Sequence, residues 1–470
     1  MFNIFIGREK ELERLNKLYN SEQFQFVVMY GRRRVGKTSL LSEFVKNKPH
    51  IFFVAEEYSK DRALMDFSKL IHEFFELEGL SPFLGWSEAF NFLVQRIQMK
   101  RIVLVIDEYP YLVSSDRSIS SILQNEIDHR FLNTKLFLII CGSSMSFMEK
   151  DILSYKSPLY GRKTSELKVD PFDFFESCSF IPNYSYEEKV MSYGVLGGIP
   201  QYLKYFSDNK SIKENLLDVV LNKGSVLYEE PKNILKQELR EPMVYNTIIE
   251  AIATGSSKMN EIVTKTKINS DKCSKYISSL IDLKIIEKDY PIGEKMGRKG
   301  IYRLSDNLFK FWYRFIFHNI GLTEQDESEF LYDSIIDADW SEYIGKNIFE
   351  CICKQYLWKC NKKRLLPFVF SNIGRWWGNN PEKKRQEEID IVAVNSKCEA
   401  LFCECKWKNE QIGTSILEDL KEKSKLLSKY LPQKYILFSK AGFTNILIEK
   451  AMNDESLELV DLKKLFFDVE

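Results

Sequence analysis

The sequence predicts an α/β protein with a parallel sheet in its amino-terminal part. Three observations predict it. Short apolar, β-rich runs alternate with helical patterns over roughly the first 165 residues. A glycine-containing loop, Gly31-Arg32-Arg33-Arg34-Val35-Gly36-Lys37-Thr38, joins a strand directly to a helix. A later buried-looking strand, Ile102–Ile106, runs into two adjacent carboxylates, Asp107 and Glu108. Strand–helix alternation requires crossovers, and crossovers place helices on both faces of a parallel sheet.

The predicted strands are Phe24–Tyr30, Ile51–Ala55, Ile102–Ile106, Leu136–Cys141 and Glu166–Val169. Helical patterns lie near Glu9–Tyr19, Lys37–Lys46, Arg62–Phe75, Ser87–Gln98 and Ser118–His129. The chain of 470 residues is long enough for two to four domains. From Pro171 to about Leu235 the pattern turns helical and predicts a lid on the sheet domain, interrupted by the tight loop Gly197-Gly198-Ile199-Pro200. From Glu238 to Ser305 the helical stretches Met259–Thr264 and Ser270–Leu283 precede the strands Ile285–Tyr290 and Ile301–Leu304, the order of a winged helix. An aromatic stretch, Phe309–Phe317, and an acidic, loop-like segment, Thr323–Glu329, mark a boundary. The remainder reads as α/β again, with a helix over Trp340–Tyr356, strands around Glu388–Val394 and Ala400–Lys406, and a helix over Ser415–Leu427. The resulting division is 1–170, the parallel-sheet core; 171–235, the lid; 236–310, the winged helix; 311–335, a linker; and 336–470, the last domain.

Charge is balanced, with 67 basic and 67 acidic side chains, so any nucleic-acid surface must be local. The apolar start, Met1–Ile6, is too short for a signal peptide, and no run approaches a membrane span. A cytoplasmic location without membrane association is the default expectation. The nine cysteines are scattered and suit reduced core thiols; Cys351, Cys353 and Cys360 have poor spacing for zinc.

The loop Gly31–Thr38 carries the chemistry of phosphate binding. Its glycines let the backbone wrap a phosphate, and the N–H groups of the loop and helix start supply a positive field. Lys37 can reach the β- and γ-phosphates of ATP, and the Thr38 hydroxyl can ligate Mg²⁺. Gly31, Arg34, Val35, Gly36, Lys37, Thr38 and Ser39 are therefore the nucleotide-contact candidates. Asp107 would hold Mg²⁺, and Glu108 would polarise the attacking water. Leu136–Cys141 ends in Gly142-Ser143-Ser144, where Ser143 or Ser144 could touch the γ-phosphate or the water; a plain turn is the alternative.

These elements, with Gly7-Arg8-Glu9-Lys10-Glu11-Leu12, Leu159-Tyr160-Gly161-Arg162 and Gly197–Pro200, together resemble the archaeal-type AAA+/STAND ATPases over about residues 1–235. The resemblance implies that Gly7, Arg8 and Glu9 lie near the adenine. It also implies that Arg162 senses the γ-phosphate or acts as an arginine finger, although an ion-paired Arg is the simpler reading of the residue alone. A homo-oligomer or a protein partner stays open.

In the last domain Glu388-Ile389-Asp390-Ile391-Val392 is followed by Leu401-Phe402-Cys403-Glu404-Cys405-Lys406. Alternate strand residues share a face, so Glu404 and Lys406 point one way, and hairpin pairing would set Asp390 beside Glu404. Two carboxylates and a lysine can hold Mg²⁺ and activate water against a phosphodiester, with Lys406 positioning the water or stabilising the transition state. A solvated strand face is the alternative. The pattern resembles the PD-(D/E)XK nuclease superfamily, with Ile389 where that family commonly has Pro, and with Glu350 matching an additional acidic residue. The segment including Gly374-Arg375-Trp376-Trp377 resembles the uncharacterised domain fused to archaeal-type ATPases. The resemblance implies a restriction-endonuclease-like α/β fold. Lys272, Lys275 and Tyr276 on the second helix of the winged-helix pattern, Lys295, Arg298 and Lys299 on its wing, and Lys258, Lys265 and Lys267 nearby make DNA the expected partner. Packing of that module against the ATPase is the other reading.

Overall fold

The computed structural model describes residues 5–77, 79–97, 100–294 and 300–468. Contacts divide the chain into two compact units: Met1–Pro171 with Ile199–Gln201, and Phe172–Gly198 with Tyr202–Glu470.

The first unit is a five-stranded parallel sheet. Its strands are β1 Gln25–Tyr30, β2 His50–Val54, β3 Val103–Asp107, β4 Phe137–Gly142 and β5 Ser165–Lys168, in the order β2-β3-β4-β1-β5. All residues of β1, β3 and β4 are buried, as expected for strands covered on both faces. The helices are α1 Glu9–Tyr19, α2 Lys37–Val45, α3 Lys60–Phe74, α4 Trp86–Ile97, α5 Tyr109–Ser115 and α6 Ile119–His129. One side packs Phe53, Phe67, Trp86 and Phe90 together, with ring centroids of Phe53 and Phe67 5.3 Å apart. Because β1, β3 and β4 are neighbours, the loops leaving their carboxyl ends share one crevice, where open α/β sheets bind ligands.

The second unit corrects two boundaries. Residues 172–198 group with the carboxyl-terminal two-thirds of the chain instead of forming a separate lid. The helix Tyr186–Leu196 packs there tightly: Asn307 Nδ2 donates to the Tyr193 carbonyl at 2.8 Å, and the Tyr343 hydroxyl donates to the Gly194 carbonyl at 2.7 Å. The stretch 311–335, expected as a linker with a loop at Thr323–Glu329, contains the helices Ile320–Glu324 and Ser328–Leu331. It buries Phe311, Trp312, Tyr313, Phe315 and Ile316, and Thr323 is closed off by a 2.7 Å bond with the Tyr228 hydroxyl. Its acidic residues face outward, which gave the segment the look of a loop while its apolar stripe formed core.

Between these lie the helices Met259–Thr266 and Ser270–Asp282 and the antiparallel pair β6 Ile286–Asp289 and β7 Ile301–Leu304. A second five-stranded sheet follows: β8 Asn372–Asn380, β9 Arg385–Val394, β10 Glu399–Lys406, β11 Leu431–Ser439 and β12 Leu457–Asp461, in the order β12-β11-β10-β9-β8. β8, β9 and β10 pair antiparallel, and β10, β11 and β12 parallel. A near-continuous helical run, Asp337–Lys363, precedes the sheet. Among the described residues no helix is long and apolar enough to cross a membrane.

Candidate nucleotide site and a second carboxylate site

The phosphate loop is shaped by close backbone contact. A Cβ on Gly31 would lie 2.2 Å from the Val169 carbonyl oxygen, so only glycine fits where the loop leaves β1. Gly36 takes φ 88°, opening the start of α2, and Arg34 also adopts a left-handed conformation at φ 70°. Lys37 is buried and donates its ammonium to the carbonyls of Gly31 at 2.8 Å and Arg32 at 3.0 Å. Val35 is buried within the loop, Arg34 is partly buried, and Thr38 and Ser39 are exposed at the helix start.

The strand ends converge on this loop. Thr38 Oγ1 donates to Asp107 Oδ2 at 2.7 Å, and the Glu108 amide donates to Asp107 Oδ1 at 2.9 Å. Glu108 itself sits at φ 52°, capping α5, and its Oε2 accepts from the Ser143 hydroxyl at 2.8 Å and the Ser143 amide at 3.3 Å. Thus Lys37, Thr38, Asp107, Glu108 and Ser143 stand together, although up to 106 positions separate them in the chain. Gly7 and Arg8 both have positive φ, and the Arg8 guanidinium donates to the carbonyls of Val35 at 3.0 Å and Asp170 at 2.7 Å. Arg8 therefore braces the phosphate loop from behind.

Arg162 follows the simpler reading. It holds Asp128 through Nε at 2.8 Å and Nη2 at 2.7 Å and donates Nη1 to the carbonyls of Pro158 and Tyr160. In the conformation described these four bonds engage the side chain with α6 and with two main-chain carbonyls. Sequence reasoning missed α5 and its Tyr111, whose hydroxyl accepts from Arg33 at 2.8 Å. Pro110 at the first turn was the available signal.

In the second unit the register Phe402↔Val392 and Cys403↔Ile391 brings Asp390 opposite Glu404 one step further on. Asp390 Oδ2 accepts from the Cys405 amide at 2.8 Å and lies 3.9 Å from Lys406 Nζ. Lys406 lies 2.5 Å from Glu404 Oε1, and Lys423, which sequence reasoning missed, lies 3.8 Å from the same oxygen. Burial pushes the carboxyls of Asp390 and Glu404 upward, against the pull of Lys406. Burial opposes the charge on Lys406, but Glu404 and Asp390 outweigh it and hold the ammonium above its ordinary range.

Glu350, the third acid of the expected metal trio, is paired with a cation. Its carboxylate faces Arg375 Nε at 3.4 Å. Burial, then the charge of Asp390, raises its pKa to about 8. Glu350 thus lies within electrostatic reach of Asp390. Arg375, Lys406 and Lys423 are the cations that face these acids.

On the helix Ser270–Asp282, Lys272 and Lys275 are exposed, as are Lys258, Lys265 and Lys267 nearby. The Tyr276 hydroxyl donates to Glu241. Lys295, Arg298 and Lys299 lie outside the described residues.

The phosphate loop, the paired strand-end acids and the parallel sheet define a P-loop ATPase. Residues 5–206 match the model of an ATPase domain predominantly from Archaea, and residues 312–423 match that of Archaea bacterial proteins of unknown function. The uncharacterized protein MJECL04 of Methanocaldococcus jannaschii is 37% identical over 438 residues, covering 92% of this chain and 94% of that protein. The chain belongs to the family of that archaeal protein. An uncharacterized ATP-binding protein of Pyrococcus abyssi, PYRAB12000, is 28% identical over 230 residues, covering 43% of this chain and 68% of its own length. The Walker-type ATPase Paby2304 of Pyrococcus abyssi has a similar fold, with a TM-score of 0.50 and 22% identity over 66% of this chain and 96% of that one.

Proposed function

We propose that the chain hydrolyses ATP with Mg²⁺ and couples the nucleotide state to DNA bound by the second unit. The observation that carries the reading is the Thr38–Asp107 bond at the mouth of the phosphate loop, beside a buried Lys37. A hydroxyl and a carboxylate are the hard oxygen donors that Mg²⁺ prefers, so these residues fit the ion. Bound there, Mg²⁺ would neutralise phosphate oxygens. Lys37 would exchange its two loop carbonyls for the β- and γ-phosphates, while loop amides hold the remaining oxygens. Glu108 would accept a hydrogen bond from the attacking water. The water oxygen then bonds to the γ-phosphorus and gives a proton to Glu108, as the bond to the bridging oxygen breaks and ADP carries that electron pair away. Ser143 would hold the Glu108 carboxylate in position.

The layout of helix, helix and hairpin over residues 259–304 supports a winged helix, with Lys272 and Lys275 on the exposed face of its second helix. The antiparallel pairing of β9 with β10, bearing Asp390, Glu404 and Lys406, supports a restriction-endonuclease-like domain at 336–470. That domain would cleave a phosphodiester with a divalent ion held by Asp390 and Glu404. A second reading is a STAND-type switch whose last domain binds without cutting. The ion pairs that cover its carboxylates favour this alternative.

Plasmid DNA incubated with Mg²⁺ or Mn²⁺ separates the two. Cutting by the wild type that is lost in Lys406→Ala supports cleavage, whereas intact plasmid with retained binding supports the switch. The ATPase rate should change when DNA is added; Lys272→Glu with Lys275→Glu should remove that response and leave the basal rate. An unresponsive wild type would refute the coupling.

A further inference from the structure

Glu404 is 5% exposed, and its two oxygens have unlike surroundings. Oε1 faces Lys406 and Lys423, while Oε2 is buried with no hydrogen-bond partner. A buried carboxylate oxygen left in this way is costly, and native proteins rarely keep one without a use. Lys423 lies in the last turn of the helix Thr414–Ser424, its side chain only 13% exposed, and a 2.7 Å ion pair with Asp419 one turn earlier holds it in place. The site therefore has a second ammonium aimed at the same carboxylate, carried by a different element from Lys406.

We propose that Lys423 is a second phosphate-positioning residue of this site, kept on Asp419 and within 3.8 Å of Glu404 in the free chain and turned to a phosphodiester oxygen when a divalent cation takes that carboxylate. The inference rests on reading Asp390, Glu404 and Lys406 as a metal-dependent nucleic-acid site. The orphaned Oε2 offers the cation a place, and the cation's charge then weakens the attraction of Glu404 for Lys423. On the phosphate the two act together, because both neutralise its charge. Removing Lys423 must then move two affinities in opposite directions, which loss of a merely structural lysine would not do.

The test uses the full chain as wild type, Lys423→Met, Lys423→Arg and Asp390→Asn. Mn²⁺ is titrated without nucleotide and followed by the resonance of the free ion. The Ca²⁺-dependent part of duplex DNA binding is followed by fluorescence anisotropy. Lys423→Met should bind Mn²⁺ at the Asp390-dependent site about threefold tighter, the scale of one partly screened ion pair. Its Ca²⁺-dependent DNA binding should weaken about tenfold, the scale of one charge-assisted hydrogen bond. Lys423→Arg should restore most of the DNA affinity. Unchanged or weaker Mn²⁺ binding in a Lys423→Met chain that melts like the wild type overturns the proposal, as does a wild type with no Asp390-dependent Mn²⁺ binding. If the Met variant unfolds, Lys423→Gln serves the same comparison. Opposite shifts in the two affinities with plasmid left uncut would refute cleavage while upholding the role of Lys423.

Discussion

The two sites place lysine beside carboxylate in different ways. In the phosphate loop, Lys37 rests on two main-chain carbonyls, and Asp107 is satisfied by a hydroxyl and an amide. In the second unit, Glu404 is held by two lysines, and Glu350 faces an arginine. Neutral partners leave a formal charge that a ligand of opposite sign can take at little cost. Charged partners compensate each other, and a ligand must first separate them. Similar residue types thus give one site ready for its anion and another that is closed until its ion pairs exchange.

The sharpest way to break this contrast is to remove each lysine. Lys37→Ala should lower ATPase kcat/KM by about a thousandfold or more, because its contact with the transferring phosphate has no substitute. A steady-state assay showing less than a tenfold loss would remove Lys37 from the site. Glu108→Gln should lower kcat by about a hundredfold while ATP affinity persists, since the amide cannot act as the base. Single-turnover hydrolysis at the wild-type rate would overturn that role.

Stability should reverse the ranking of the lysines. Lys406→Ala leaves Glu404 and Asp390 buried with less compensation and should cost about 2 kcal/mol in urea unfolding. Lys37→Ala removes two hydrogen bonds from an ammonium to main-chain carbonyls but leaves no buried charge unpaired, and should cost less, about 1 kcal/mol. Equal losses would mean that the two environments do not differ as described. Glu350 supplies an effect with a definite sign. Its folded pKa is raised to about 8 from 4.5, so its contribution is fully present below about pH 4.5 and is lost as pH rises toward 8. Melting curves across that window should show a decline that Glu350→Gln flattens; a wild-type curve that climbs through the window because of Glu350 would contradict it.

The same contrast governs what could be read from the sequence. The phosphate loop is local: Gly31 to Thr38 lie between one strand and one helix, and their spacing alone implies the geometry. Four of the five strands of the first sheet, all but β5, are mostly apolar runs, and each predicted run overlaps an observed strand. The carboxylate site depends on strand register and on side chains from other elements. Asp390 beside Glu404 followed from alternation and pairing, but Lys423 and the Arg375–Glu350 pair carry no contiguous signal. Arg162 was legible as a residue type but not as a partner of Asp128, because nothing in its own segment names α6. The stretch 311–335 misled for the opposite reason: its outward acids are conspicuous, while the aromatic stripe that packs it is read only once the helix exists.

The central claim is that Lys37 and the loop amides grip a triphosphate. Calorimetric titration of Mg²⁺ with a non-hydrolysable ATP analogue into the full chain tests it most directly, with Lys37→Ala alongside. The account predicts a saturable, near one-to-one binding heat for the wild type that disappears in the variant. Absence of binding heat in folded wild type, or the same isotherm for both proteins, would contradict it.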